Sequence, residues 1–437
     1  MRILICILLC AASVAVSARS TTITADSSVY LQHGVQGNHQ IRSMYRDSLR
    51  RGTPSFSLEL SVGQHYFGKG NYDNAAYHLE KARRMSSATD SVLLERLYLS
   101  YLYLKRVEDA NATGNWLSES AKQRLGYRRK LADLLAVAGG YTLSENTANG
   151  RIRDIKRSEN IYGEALYNGA VRWACFSMQH SILNRLRLTY GASIFRAKAV
   201  GVVQTKDDGK VQDFENKHGQ LNAALSYAFS GGWSVTGSVA SYMQETSWLT
   251  SEYNSTLNKY RFIDGNVRNN YFAGGLSIAR RMRYLKPSVS VVLSNFGKSN
   301  HYQGECSLVV FPLGNLNVHT VSSVSLLKNS GSKQWIVSQA VGSKIFSWLW
   351  HEEKIVYGNL NNYITDNTFS TYNTSDPIKR ILGANLRFYH KRFEVIAGYA
   401  SNRCQGSYLY FDSFTSYKIV KYHYTSQSFN TTVLWKF

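Results

Sequence analysis

Three arginines are the residues whose type and spacing best suit the binding of a ligand. Arg185 and Arg187 occupy alternate positions, and Arg387 follows Leu386. Because strand side chains alternate between two faces, these arginines lie on a polar face opposite leucines. In a sheet closed into a barrel they would point inward, and a basic interior favours anions. Pairing with acidic interior residues such as Glu394 is the alternative, and both interpretations stay open here.

Catalytic chemistry has less support in the sequence. A nucleophile needs a base and an orienting residue beside it. Single His, Ser and Asp residues occur throughout, but no Gly-x-Ser-x-Gly, His-Glu-x-x-His or paired-carboxylate motif stands in a credible context. Cys175, Cys306 and Cys404 are widely spaced, which predicts isolated buried thiols. We therefore expect no enzymatic activity, no cofactor and no metal site.

The elements that must position the arginines follow an amino-terminal leader. Residues 1–18 combine a basic start at Arg2, an apolar run over residues 3–9 and a small-residue end at Val16 and Ala18. This pattern predicts a signal peptide and a mature chain that begins near Arg19.

The composition indicates a β protein. The 437 residues include 30 Tyr, 8 Trp and 32 Gly but only 4 Pro, and the mean hydropathy is −0.29. Membrane barrels have such compositions because only alternate residues face lipid, whereas no stretch offers the roughly 20 apolar residues of a spanning helix. The net charge of +22 suits anionic partners, unless it reflects a lineage with a basic proteome.

The chain from Phe56 onward has a helical pattern that resembles the tetratricopeptide repeat. The residues in the characteristic places of that family are Gly63, Tyr66, Gly70, Tyr72, Ala75, Leu79 and Ala82. A degenerate second copy follows about 35 residues later, with Leu97, Tyr101 and Ala110 in the matching places. The resemblance implies a short adaptor that binds a partner on its concave surface, or else a spacer that only orients the next domain.

A third helix is predicted over residues 122–137, with Leu125, Leu131, Leu134 and Leu135 toward the core. Gly139 and Gly140 would stop it. The helical domain is therefore expected to span residues 19–150.

Residues 157–437 show the alternation of β-strands. The clearest hairpin lies over 221–242, and similar units recur at 271–294, 303–326, 334–363 and 379–399. Short turns are predicted near 182, 231, 285, 313, 350 and 390, and longer polar loops near 205–217, 249–268, 296–302, 327–333, 364–378 and 405–419. This alternation predicts an antiparallel transmembrane barrel with short turns on the periplasmic side and long loops outside. Strands at 161–167 and 170–181, separated by Asn168-Gly169, bring the count to fourteen, or to twelve if a weak pair lies outside the barrel.

The last eight residues resemble the terminal insertion signal of bacterial outer-membrane barrels. Phe437 and Trp435 fall on one face of a strand, and Asn430 falls on the other. Thr432 departs from that family, which usually has Gly there. The alternative is the amphipathic last strand of a soluble sheet.

A repeat segment joined to a carboxyl-terminal barrel resembles two export groups: the surface lipoprotein assembly modulators, with fourteen-stranded barrels, and the exopolysaccharide porins with periplasmic repeats. The short repeat favours the first group, so we expect a barrel for export or surface assembly of a macromolecular cargo. A polysaccharide porin and a structural or adhesive surface protein are the alternatives. The expected location is the bacterial outer membrane, with the amino-terminal domain in the periplasm. The expected partners are membrane lipid, lipopolysaccharide, the barrel-assembly machinery and a periplasmic protein or cargo, but no nucleic acid.

Overall fold

A computed structural model describes residues 45, 55–85, 90–104, 106–128, 132–146, 162–206, 208–256, 259–282, 284–314, 317–329, 331–413 and 416–437. The predicted signal peptide lies outside these residues. Within them, five α-helices precede a closed antiparallel barrel of fourteen strands. The predicted fold class, helices followed by a barrel of about fourteen strands, is confirmed.

The helices form two hairpins and a final short helix. They are α1 (Phe56–Gly68), α2 (Tyr72–Met85), α3 (Ser91–Tyr103), α4 (Val107–Gly114) and α5 (Glu119–Leu125). The starts of α1, α3 and α5 are stabilised by the side chains of Ser55, Asp90 and Ser118, each of which accepts a backbone N–H hydrogen bond. The first hairpin begins at Phe56, and the second begins 35 residues later, at Ser91.

A shared apolar core holds the two hairpins together. Ala75, Leu79 and Ala82 are fully buried in it, as are Leu97 and Ala110 of the second hairpin. The predicted helix packing residues therefore lie in the interface between the helices.

Two glycines of the first hairpin have specific roles. A Cβ atom at Gly63 would lie 2.7 Å from Leu79 Cγ, so the close approach of α1 and α2 requires glycine there. Gly70 has a φ of +68° in the turn between these helices, a backbone conformation that other residues rarely adopt. Tyr66 and Tyr72 pack partly buried against the same core.

The strands are β1 (Ala132–Ser144), β2 (Tyr162–Leu183), β3 (Leu186–Thr205), β4 (Gly209–Ala228), β5 (Trp233–Asn254), β6 (Lys259–Arg280), β7 (Leu285–Ser294), β8 (His301–Val310), β9 (Val318–Lys328), β10 (Lys333–Phe346), β11 (Leu349–Gly358), β12 (Ile364–Thr365), β13 (Ser370–Thr371), β14 (Ile378–His390), β15 (Phe393–Phe411) and β16 (Tyr417–Lys436). Each barrel strand pairs with its neighbours in sequence, β12 and β13 form a separate small hairpin, and β1 pairs with β16 to close the barrel.

Alternating side chains give the barrel an apolar outer surface. Leu221, Leu225 and Val239 of the β4–β5 hairpin are exposed on the outside. The two neighbours of Leu221, Gln220 and Asn222, are buried inside. The last strand follows the same pattern, with Phe429, Val433 and Trp435 exposed. The outer belt suits lipid, and the polar inner face suits water.

Two predictions at the start of the barrel were wrong. The helix predicted over 122–137 ends at Leu125, and β1 begins at Ala132. β1 pairs with β2 and β16 through residues 132–144, so the boundary predicted near residue 150 comes about twenty residues too late. The two strands predicted at 161–167 and 170–181 are one strand, β2, because Asn168-Gly169 forms a bulge in its pairing with β3 instead of a turn.

The barrel wall has unequal height. β2 to β6 contain 20 to 22 residues each, whereas β7, β8 and β11 contain 10 each and β9 contains 11. Several connections predicted as long loops, such as 249–268, consist largely of paired strand residues. None of the described helices has the length and apolar character needed to cross a membrane.

Candidate functional site: the barrel interior and its helical mouth

The connection between β11 and β14, residues 359–377, folds into the barrel; we call it the inserted segment. The sequence predicts an external loop over 364–378, which covers most of this segment. Its carbonyl oxygen at Thr368 accepts hydrogen bonds from Gln220 Nε2 at 3.0 Å and from Tyr242 OH at 3.2 Å. The backbone N–H and carbonyl of Ile364 bond to the amide of Gln303 at 3.0 and 2.6 Å. The segment is therefore held by inner-face residues of β4, β5 and β8.

Further contacts attach the inserted segment to other parts of the wall. The Tyr363 hydroxyl donates to Glu305 at 2.7 Å, and Tyr424 of β16 donates to Asp376 at 2.8 Å. Ile364 also packs in a buried apolar cluster with Phe296, Tyr242 and Tyr271. The lumen is thus spanned by chain from one wall to another.

The tip of the inserted segment adopts an uncommon backbone. Asp366, Asn367 and Thr368 have φ values of 55°, 52° and 70°. Successive left-handed residues other than glycine are sterically unfavourable. The hydrogen bonds to Thr368 and the packing of Ile364 therefore hold a conformation that the segment alone would not favour.

A polar cavity of about 260 Å³ lies between the inserted segment and the wall formed by β8 to β11. Its lining includes Glu305, Glu352, Lys354, Asp366, Tyr363 and Tyr372. Carboxylates, an ammonium group and aromatic rings face the same space, so the interior suits a polar solute.

Arg387 contacts acidic groups on the inner wall of the barrel. Its Nη1 atom lies 3.6 Å from Glu394 Oε1, and its Nη2 atom lies 3.7 Å from Glu352 Oε2. The row continues to Lys436, whose Nζ atom lies 2.8 Å from Glu394, and to His319, whose Nε2 atom lies 3.4 Å from Glu352. Basic and acidic side chains therefore alternate across the inner wall, and Arg387 has the acidic partners that were the alternative to anion binding.

Arg185 and Arg187 lie at the end of the barrel that meets the helices, which we call the helical mouth. Arg185 Nη2 is 3.2 Å from Asp109 Oδ1, and Arg187 Nη2 is 2.6 Å from Glu108 Oε1. Both acids belong to α4. The two arginines thus join the barrel to the helices, a partnership that the sequence pattern did not predict.

Two other contacts complete this junction. Arg281, in the β6–β7 turn, donates to the carbonyl oxygen of Leu104 at 3.2 Å. Asp109 also pairs with the buried Arg106, at 2.7 Å. Burial raises the pKa of the Asp109 carboxyl, and Arg106 and Arg185 oppose that rise by Coulomb attraction. The helices are therefore held on the helical mouth by buried and partly buried charges.

The predicted terminal residues lie at the same end of the barrel. Trp435 packs between Phe393 and Phe437, with ring centroids 5.3 and 5.7 Å away, and Asn430 pairs with Gly140 and Gly398 across the sheet. The backbone N–H of Phe437 reaches the carbonyl of Asp133 at the start of β1. The last strand and the first strand thus meet at the helical mouth.

The cysteines differ from the prediction in one respect. Cys404 is buried and Cys175 is half-buried, but Cys306 is exposed on the outer face of β8. It was therefore wrong to predict a buried thiol at that position. Among the described residues, no group of three or more His, Cys, Asp and Glu side chains has the arrangement of a metal site.

Comparisons with known proteins give likeness in fold only. No family model and no curated protein matches the sequence. A solved structure of a Pseudomonas aeruginosa FadL homologue has 9% identity and a TM-score of 0.46, with 76% of this chain and 94% of that chain covered. The Pseudomonas putida toluene transporter TodX has 9% identity and a TM-score of 0.44, with coverage of 70% and 90%. A bacterial polysaccharide outer membrane secretin has 12% identity and a TM-score of 0.34, with coverage of 71% and 100%. At these values, no property of those proteins is transferred to this chain.

Proposed function

We propose that this chain is an outer-membrane barrel for the export or surface assembly of a macromolecular cargo, with its helices as a periplasmic adaptor. The apolar outer belt and the short turns at the helical mouth support this orientation, because bacterial barrels keep their short turns in the periplasm. The adaptor is of the tetratricopeptide kind. The proposal includes no catalytic role.

The observation that carries the proposal is the attachment of α4 to the helical mouth. Arg185, in the β2–β3 turn, and Arg187 of β3 hold Asp109 and Glu108, so a partner bound by the helices is presented at the entrance to the lumen. A free spacer would need no such contacts. The expected partners are membrane lipid and lipopolysaccharide on the barrel surface, the barrel-assembly machinery during insertion, and a periplasmic protein or cargo on the helices.

The inserted segment bears on the alternative function of polysaccharide export. A polymer passing through the lumen must displace residues 359–377 from their bonds with Gln220, Tyr242 and Gln303. Surface assembly of a protein requires no such passage through the whole barrel. The arrangement therefore favours assembly over polymer export.

The test is a charge reversal at the attachment. Arg187→Glu should repel Glu108 and release the helices from the barrel, whereas adding Glu108→Arg should restore the ion pair. We expect the single variant to lose surface cargo and the double variant to regain it. Surface proteins and surface polysaccharide are labelled and compared between host strains that carry each variant.

Lys210→Glu serves as the control, because Lys210 pairs with Asp264 far from the helical mouth. Loss of surface polysaccharide instead of protein would favour the porin. Unchanged surface composition in the single variant would reject the adaptor.

A further inference from the structure

The outer face of β9 to β11 breaks the apolar belt. Glu353 lies between Glu352 and Lys354, which both line the internal cavity, so Glu353 faces outward. Its side chain is 72% exposed, and its nearest charged partner is His351 on the same strand, at 3.6 Å. Ser322 and Gln339, on β9 and β10, also face outward and share a 2.6 Å hydrogen bond. We call these four residues the β9–β11 patch.

The patch lies at the middle of the belt. Glu353 is near the centre of β11, which runs from Leu349 to Gly358. Exposed apolar side chains border the patch on both sides: Trp335, Val337 and Tyr357 toward the loops, and Ile345, Phe346 and Trp348 toward the helical mouth. Elsewhere, as on β6 and β7, the outer face carries exposed apolar side chains such as Leu276, Ile278, Val289 and Val291.

Lipid is a poor neighbour for this patch. Acyl chains form no hydrogen bonds, and a charged side chain on the lipid face destabilises a barrel most near the bilayer midplane. His351 compensates only part of the Glu353 charge, since most of the carboxylate remains exposed. A protein surface with matching polar groups would remove that cost.

We propose that the β9–β11 patch is the interface with a second copy of this chain. Copies inserted in one membrane have the same orientation and depth, so their patches meet at equal height. Each patch holds both partners that the other needs, because Glu353 accepts hydrogen bonds, His351 donates them, and the Gln339 amide does both. A twofold axis along the membrane normal would place the two patches face to face.

The inference rests on the proposed membrane location and is tested by crosslinking in the membrane. Glu353→Cys is introduced together with Cys306→Ser, because Cys306 is an exposed thiol on β8, the strand next to β9 of the patch. The matched control is Val291→Cys, on the outer face of β7 in the same background. After mild oxidation we expect at least ten-fold more disulfide-linked dimer from Glu353→Cys than from the control.

A second measurement uses the unmodified interface. The mass of the full chain, extracted with its surrounding lipid in a polymer disc, should be that of a dimer. The double variant His351→Leu with Glu353→Leu should shift it to a monomer while the barrel keeps its heat-modifiable migration. A monomeric wild-type chain, equal crosslinking at both cysteines, or a crosslink to a different protein would each overturn the proposal. Loss of heat-modifiability in the wild-type chain would instead overturn the barrel location itself.

Discussion

Individual residues show how far alternation predicts contacts. The pattern around Leu386 predicts an inward direction for Arg387, because the face of a strand follows from parity alone. It did not predict that Arg187 contacts Glu108, because that contact joins a strand to a helix about eighty residues earlier. Parity gives a side chain its direction, whereas its partner depends on the packing of the whole chain.

Ala75 tests the helix interface at the residue scale. It is fully buried between the hairpins, so Ala75→Leu should overpack the core and cost about 1–3 kcal/mol. Protease resistance of the helical segment, measured on the full chain across a urea series, should fall accordingly. Val92→Leu, at an exposed position of α3, is the control, and equal resistance of the two variants would show that the interface is loosely packed.

Trp435 tests the terminal signal. Trp435→Asp places a charge on the outer face, which costs roughly 2–4 kcal/mol for a basic residue near mid-bilayer and less for an acidic residue or near the interface. We therefore expect a reduced level of inserted barrel, read from heat-modifiable migration in membrane fractions. Trp435→Phe should insert normally. Normal insertion of the aspartate variant would show that this residue carries no insertion signal.

At the scale of elements, the segments whose apolar residues follow one clear period were the easiest to predict. α1 and α2 follow a helical pattern, and β4 and β5 alternate cleanly, so both pairs were predicted. β1 was misassigned because Leu134 and Leu135 are adjacent apolar residues that fit a helix as well as a strand. The outer parts of β4 to β6 carry many polar and charged residues, so they lack clear alternation, and the sequence predicts loops there.

The inserted segment could not have been predicted from its own composition. Residues 359–377 are polar and rich in Asn and Thr, as an external loop would be. What places them inside is the set of amides and hydroxyls on other strands, such as Gln220 and Gln303, that bind their backbone. Gln220 lies 148 residues from Thr368 in the sequence, and Gln303 lies 61 residues from Ile364.

Replacing residues 361–375 with a short Gly-Ser linker tests the inserted segment. The lumen should open, so single-channel conductance in planar bilayers should rise several-fold, and cells should become sensitive to large antibiotics. The same linker in place of residues 329–332, a β9–β10 turn at the rim, should change neither. Equal conductance of the two variants would mean that the lumen is closed by other parts of the chain.

At the scale of the whole molecule, helices and barrel meet through few elements. The helices contact the barrel through α4 and the α3–α4 turn, so we expect deletion of residues 41–128 to leave a barrel that inserts but no longer displays cargo. The deletion must stop before Ala132, because β1 closes the sheet with β16. Membrane fractionation, heat-modifiable migration and surface labelling measure the two properties separately.

A matched deletion of residues 41–144 removes β1 and should abolish insertion. If the shorter deletion also failed to insert, the helices would be part of the barrel's own folding. If it inserted and displayed cargo at the normal level, the helices would be a spacer.

The unequal wall has a consequence for how close the outer rim lies to the membrane. The strands of 10 or 11 residues match the length that a tilted strand needs to cross a bilayer. The strands of 20 to 22 residues therefore rise about ten residues higher, roughly 25 Å at a rise of ~3.3 Å per residue and a tilt near 40°. In this outer extension the ends of β2 and β15 pair with each other, whereas on the β7–β11 side the rim lies close to the lipid surface. Under the proposed function, a cargo protein handled at the outer rim would therefore meet the bilayer directly on the low side, without passing through the lumen.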